Sequence, residues 1–257
     1  TFISSSNSQA NTPQVEISEK GAAISVWAQS TQAQSDIYAS QLRLIQGASW
    51  QTPENIDTSI NIDLRMNSSR PRIQVDSSGD AMVIWQKSDG QRDNIWYNRF
   101  VAGIWRLATR LEDDRQGHAA GANLSVSRSN QYFAYWTQDT GSSMDLMVQN
   151  FHADTGWSDN DPISSVATIT EVSVSFDMEG NAAAVWKQGV PVGSILSSSF
   201  SRSAQAWGAA KSLSFISGSS LSLTPLYEDG RMLATWISAD GSRSALTSSI
   251  FTDGVLE

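Results

Sequence analysis

Two histidines, His118 and His152, and no cysteine set the limits on what chemistry this chain can perform. Thiolate nucleophiles and disulfides are excluded. A Ser-His-Asp triad would have to be assembled around one of those two imidazoles, and no Gly-x-Ser-x-Gly elbow is present to offer the serine. His152 directly follows Phe151 in a strand-to-strand turn, where a solvent-facing ring is expected. His118 lies in "RQGHAAGAN", a Gly- and Ala-rich connection that is expected to cross a rim and reach toward a pocket. No His-x-His or HExxH pair occurs, and the acidic stretches "EDD" at Glu112 and "SDNDP" at Ser158 lack the glycine and closing glutamate of a calcium loop. They read as turns whose Asx side chains cap their own backbone. No catalytic residue, metal site or cofactor is assigned.

Carboxylates are the serious enzymatic material. Glu16, Asp76, Glu171 and Asp177 fall near strands that could line a central funnel, where one acid and one base would suit glycoside hydrolysis. Asp76 and Asp177 each open a turn ("DSSG", "DMEG"), which accounts for them without catalysis. The other polar set recurs. Gln29, Gln138 and Gln188 each stand two residues after a tryptophan, with Lys87 and Ser238 in the sister positions, and Asp36, Asn94 and Asp145 follow before the next strand. Trp96, in "DNIWYNRF", lies outside the repeated tryptophan slots and is the natural stacking platform for a sugar. The expected ligand-binding set is therefore Trp96, Gln29, Gln138, Gln188, Asp36, Asn94, Asp145, Arg92 and His118.

Those residues must be positioned by something, and the chain repeats itself to do it. "GAAISVWAQS", "GDAMVIWQKSDG", "NQYFAYWTQDTG", "GNAAAVWKQG" and "GRMLATWISADG" each place a turn residue six positions before Trp27, Trp85, Trp136, Trp186 or Trp236. Gly21, Gly79, Asn130, Gly180 and Gly230 suit a left-handed turn, which glycine adopts freely and asparagine tolerates. A second strand follows, carrying an aliphatic residue and, five positions on, a bulky apolar one: Ile37 and Leu42, Ile95 and Phe100, Leu146 and Phe151, Ile195 and Phe200, Leu246 and Phe251. A second tryptophan comes next (Trp50, Trp105, Trp157, Trp207), and six residues beyond it Ile56, Leu111, Ile163 or Leu213 marks another strand. Alternating strands such as "PRIQVD" and "EVSVSF" precede each turn. The period of about 50 residues holds four short strands and no segment of helical period.

These repeats resemble those of the β-propeller superfamily along essentially the whole chain, in the style of exported bacterial propellers with a Gly turn before a Trp-ending strand. The resemblance implies an all-β, five-bladed propeller with four-stranded antiparallel blades, a single domain over residues 1–257. Its units are 13–57, 71–112, 122–164, 171–214 and 221–257. The fifth unit stops after Phe251, and Ile3 in "TFISSS" matches the outer-strand position, so residues 1–6 are expected to complete the last blade by pairing near Ile250, leaving no open edge. "DSSGDAMVIW" differs in spacing from the Ser-x-Asp-x-Gly-x-x-Trp box of sialidase-type propellers, and the Gly-His and Trp-Asp signatures of WD repeats do not recur.

A net charge of −9 excludes a nucleic-acid partner, which would need clustered basic residues. Arg65, Arg70, Arg72, Lys87, Arg92, Arg99, Arg106, Arg110 and Arg115 do crowd one stretch, but Asp76, Asp80, Asp89, Asp93 and Glu112 to Asp114 interleave with them as a mixed-charge surface. No apolar run approaches a membrane span. Scarce lysine and abundant Ser, Thr, Asn and Gln suggest an extracytoplasmic protein, with Thr1 the start of a mature or trimmed form and the final Leu-Glu compatible with a cloning remnant. The expectation is a monomeric, non-enzymatic binding or scaffolding propeller whose rim loops contact a glycan or protein. The alternative is a glycoside hydrolase or lyase using carboxylates in the central funnel.

Overall fold

The computed structural model describes residues 3–4, 8–30, 34–43, 45–59, 66–112, 117–159, 162–189, 193–214, 218–226, 231–240, 242–252 and 255–256. Every regular element among them is a β-strand. They form five antiparallel sheets in chain order. The chain divides into two compact units, residues 1–124 and 125–257. The first carries the first two sheets and the second the last two. The third sheet lies mostly in the second unit, and its opening strand, Ala119–Val126, runs over the boundary.

The tryptophan-bearing strands Ala22–Ser30, Ala81–Ser88, Tyr132–Asp139, Ala182–Gln188 and Arg231–Asp240 each occupy the second position of their sheet. They are apolar on both faces because both faces are covered. Trp85, Trp136 and Trp186 are fully buried, and Trp27 and Trp236 nearly so. The turns before them adopt the expected left-handed backbone at Gly21, Gly79, Asn130 and Gly180, while Gly230 lies outside the described residues. Asp76 and Asp177 serve these turns. Asp76 Oδ1 accepts from the backbone N–H of Ser78 and Asp80 at 2.9 and 3.1 Å, and Asp177 Oδ1 from those of Glu179 and Asn181 at 2.9 and 2.8 Å.

The opening strands begin earlier than their alternating segments suggest, at Gln9, Asn67, Ala119, Ile169 and Gly218. Four of them carry register shifts between Asn11 and Gln14, Ser69 and Arg72, Thr170 and Ser173, and Ser219 and Ser222. A left-handed residue sits at each shift: Thr12, Arg70, Glu171 and Ser220, with Gly121 at the equivalent place in the third sheet. These are β-bulges, in which one extra residue bends and twists the strand.

In the second, third and fourth sheets the third strand pairs on its outer side with two short pieces rather than one continuous strand, and in the first and fifth, among the described residues, with one. The first piece brings the second tryptophan opposite the bulky residue: Phe100 faces Trp105, Phe151 faces Trp157 and Phe200 faces Trp207, with ring centroids 5.2, 5.2 and 5.5 Å apart. The second piece covers the aliphatic position, as where the Ile56 N–H donates to Ile37 O at 2.9 Å and the Leu111 N–H to Ile95 O at 2.8 Å. The fifth unit does not stop after Phe251. Val255–Leu256 returns to pair with Arg243–Thr252, placing Leu256 opposite Phe251 in the tryptophan register.

The fifth sheet lacks the second outer piece among the described residues. Leu246 is consequently 78% exposed, whereas Ile37, Ile95, Leu146 and Ile195 in the same position are 0% exposed. The expected seam falls on residues 1–6, of which Ile3 and Ser4 are described, and neither lies in a strand. Within the first unit one core joins Val26, Ile37 and Ile56 of the first sheet to Val83, Trp85 and Phe100 of the second. Within the second unit the fourth sheet contributes to two cores, one shared with the third sheet and one with the fifth.

Candidate functional site

The cross-strand register explains the recurrent polar pairs. Gln29 faces Asp36, Lys87 faces Asn94 and Gln138 faces Asp145, each at the exit of a tryptophan strand. Most are committed to local structure. Gln29 Oε1 accepts from Trp27 Nε1 at 3.2 Å. Asp36 accepts from Gln34 Nε2 at 3.0 Å and from Asn55 Nδ2 at 3.3 Å. Gln138 and Asp145 are buried. Gln188 faces Ser194 across its hairpin, and its Oε1 is buried with no hydrogen-bond partner among the described residues.

The second sheet differs because lysine takes the glutamine position. Lys87 Nζ lies 2.8 Å from Asp57 Oδ1, with side-chain exposures of 7% and 0%. The other carboxylate oxygen, Asp57 Oδ2, accepts the Ser68 hydroxyl. Burial pushes the Asp57 carboxyl above its ordinary value of 3.8, outweighing the lowering by Lys87 and Ser68, and Asp36 adds to the rise. Lys87 also stands 4.9 Å above the centre of the Trp96 ring, a cation–π contact. Trp96 is not outside the repeat: it faces Trp85 across the hairpin, where the other sheets place Tyr38, Met147, Leu196 and Thr247. It packs against the core of the first unit.

Beyond Lys87 the hairpin turn gathers Arg92, Asn94 and His118, three residues singled out separately by sequence. Asp89 holds the turn. Its Oδ1 accepts the N–H of Gln91 and Arg92 at 2.9 and 2.8 Å, and its Oδ2 accepts Asn94 Nδ2 at 3.2 Å. Arg92 Nε lies 3.5 Å from Asp89 Oδ2. Desolvation alone would raise the Asp89 carboxyl, but these donors and the Arg92 charge hold it below the usual value. The neighbouring Asp93 was not singled out by sequence, yet its Oδ2 is 3.3 Å from His118 Nδ1, and its backbone N–H donates to the same nitrogen at 3.2 Å. Either neutral tautomer of the ring is thus held, one by the carboxylate and the other by the amide. The pair faces solvent, with side-chain exposures of 59% for His118 and 32% for Asp93.

His152 is tied into the third sheet, 3.1 Å from Gln131 Nε2 and 3.3 Å from Gln205 Oε1. Glu171 sits at a bulge and pairs with Lys187 at 3.8 Å, and desolvation raises the Glu16 carboxyl. Of the predicted acidic turns, residues 113–114 and 160–161 lie outside the described residues. Among the described residues no group of three or more His, Cys, Asp or Glu could hold a metal ion.

No family model matches the chain, and no curated protein matches it. Solved structures do. A protein of unknown function from Dyadobacter fermentans is 11% identical with a TM-score of 0.60, over 97% of this chain and 80% of that one. An ulvan lyase of a polysaccharide lyase family is 11% identical with a TM-score of 0.60, over 95% of this chain and 68% of the lyase. The NanB sialidase of Streptococcus pneumoniae is 9% identical with a TM-score of 0.55, over all of this chain and 62% of the sialidase. At such identities the likeness is one of fold, and the fold is of β-propeller type. The expectation of a non-enzymatic binding or scaffolding propeller is corrected here. Neighbours of this fold include enzymes that act on glycans, which turns the reading to the catalytic alternative.

Proposed function

We propose that this chain is a glycan-cleaving propeller acting outside the cytoplasm, with Asp93 and His118 as its acid–base pair. The observation that carries the reading is a solvent-facing imidazole held at 3.3 Å by a carboxylate on a strand exit, beside Arg92. Three of the four carboxylates that hydrolysis would draw on are spent elsewhere: Asp76 and Asp177 cap turns, and Glu171 pairs with Lys187. The groups at the rim suit β-elimination from a uronate-bearing glycan better. Imidazole removes the proton α to the uronate carboxyl, Arg92 offsets the charge that builds there, and the bond to the leaving sugar oxygen breaks as a carbon–carbon double bond forms. The leaving oxygen takes up a proton from the imidazolium or through water, which returns the ring to its neutral form. Asp93 orients the ring and stabilises its charged form.

The five sheets are read as five propeller blades, and support comes from the strand order that recurs in each, with the tryptophan strand second.

Incubation with ulvan, other uronate-containing polysaccharides and sialylated glycans tests the function. Elimination raises near-ultraviolet absorbance from the new double bond, while hydrolysis releases reducing ends without it. His118→Ala should lower cleavage by about 10²–10⁴-fold with unchanged melting. Absence of cleavage on all of them, or full activity in His118→Ala, overturns the reading.

A further inference from the structure

The second unit contains a cleft of about 490 Å³ between the outer strand of the third sheet and the tryptophan hairpin of the fourth. Asn150, Ser158, Asp159, Pro162, Gln205 and Trp207 line it. The volume is that of a small-ligand site. Its polar groups are two amides, a hydroxyl and a carboxylate, and its aromatic member is an indole anchored by ring contacts to Phe133 and Phe200, each at 5.5 Å.

Gln205 has a backbone φ of 51°. Two residues before the matching tryptophan of the second sheet stands Gly103, with φ 86°. A left-handed conformation is costly for a side-chain-bearing residue, and such strain gathers where a side chain is needed in a particular place. Here Gln205 Nε2 donates to Arg202 O at 2.7 Å, which aims Oε1 over the cleft, where it takes only long contacts, 3.4 Å from Asn150 Nδ2 and 3.3 Å from His152 Nε2. Long, replaceable hydrogen bonds are what an incoming hydroxyl can improve on.

The same cleft recurs in the first unit. A shallow, open depression of about 520 Å³ lies between Glu54, Asn55 and Thr58 beside the first sheet and Trp105, Arg106 and Leu107 of the second. Both clefts set a tryptophan hairpin against an amide or carboxylate of the preceding sheet's outer strand, so the feature belongs to the repeat and not to one irregular loop.

We infer that the cleft at Trp207 is a saccharide-holding site separate from the Asp93–His118 pair. One sugar ring packs on the edge and face of Trp207. Neighbouring hydroxyls are met by the Asn150 amide, Gln205 Oε1 and the Asp159 carboxylate. The inference shares with the proposed function only the idea that the protein meets glycans, and its role is to retain a polymer while another part is cleaved.

The test is a titration of the ¹⁵N-labelled full chain with two probes, cellobiose and a glucuronate–rhamnose disaccharide, followed through indole and side-chain amide signals. Trp207 is assigned with Trp207→Phe. The expected result is a saturable shift of the Trp207, Asn150 and Gln205 signals with at least one probe, with Kd on the order of 1 mM. Gln205→Gly should weaken binding at least tenfold while the melting temperature holds or rises, since glycine relieves the strain. A lack of saturable shift with both probes, or unchanged affinity in Gln205→Gly, overturns the inference. The two proposals fail separately. A chain that cleaves nothing but still titrates at Trp207 keeps this site and loses the lyase, and cleavage of short substrates that survives without any shift at Trp207 does the reverse.

Discussion

Replacing Lys87 by glutamine would give the second sheet the residue its sisters carry at Gln29, Gln138 and Gln188, and it should be harmful. Asp57, with no side-chain exposure, would lose the cation at 2.8 Å and keep the Ser68 hydroxyl. Breaking a buried pair by removing one partner costs about 3–5 kcal/mol. The cation–π contact to Trp96 is lost as well, for roughly 0.5–2 kcal/mol. At about 2–4 °C per kcal/mol for chains of this size, the two losses together should lower the melting temperature by about 7–28 °C. The double variant Lys87→Gln with Asp57→Asn should recover most of the loss, because replacing both members of a buried pair is often close to neutral.

The pH dependence has a definite sign. The folded-state value of Asp57 is already raised by burial, so its proton favours the fold, and that contribution fades as pH climbs above 3.8 through the folded value. Removing Lys87 takes away two of the three effects that lower it and leaves the Ser68 hydrogen bond. The defect of Lys87→Gln should therefore be largest at neutral pH and shrink on acidification. Calorimetry of the wild type, both single variants and the double variant at pH 7 and pH 4.5 measures the cycle. A single-variant cost below about 1 kcal/mol, or a coupling energy near zero, would refute the reasoning.

Leu246→Ala should cost less than about 0.5 kcal/mol by urea unfolding, because Leu246 is 78% exposed, whereas Leu146→Ala, at the matching position with no exposure, should cost about 2–5 kcal/mol. Asp76→Ala removes two backbone N–H acceptor bonds and the Ser78 hydroxyl contact at 2.6 Å; a loss of about 1–3 kcal/mol is expected by the same measurement. Arg70→Gly, which places in the second sheet what Gly121 provides in the third, should raise stability by up to about 1 kcal/mol, seen as a higher melting temperature.

The tryptophan strands and their turns were legible because one spacing recurs five times and the residue types at Gly79 or Asn130 advertise their backbone. The split outer strand was half legible: Phe100 and Trp105 are both conspicuous, but that they face each other follows only from the hairpin register. Trp96 misled because its slot opposite Trp85 accepts tyrosine, methionine, leucine or threonine in the other sheets, so no repeat announces it. The bulges were invisible, since Thr12, Arg70 and Glu171 are not residues that signal a left-handed backbone. At the candidate site, Arg92, Asn94 and His118 were named individually. Asp93 was missed because its partner lies 25 residues away. The Asp57–Lys87 pair spans 30 residues, and the available hint was a lysine where buried strands elsewhere carry glutamine.

The bulges also bear on how the repeats have kept step with one another. A strand slipped by one residue would turn its whole inward set outward, and short alternating segments with few distinctive side chains offer little resistance to such a slip. An extra residue lodged at the same place in each opening strand is a detent: the ladder closes on either side of it in one alignment only. Side chains around it are then at liberty to diverge from copy to copy, which is why Thr12, Arg70, Gly121, Glu171 and Ser220 share a position while having almost nothing chemical in common.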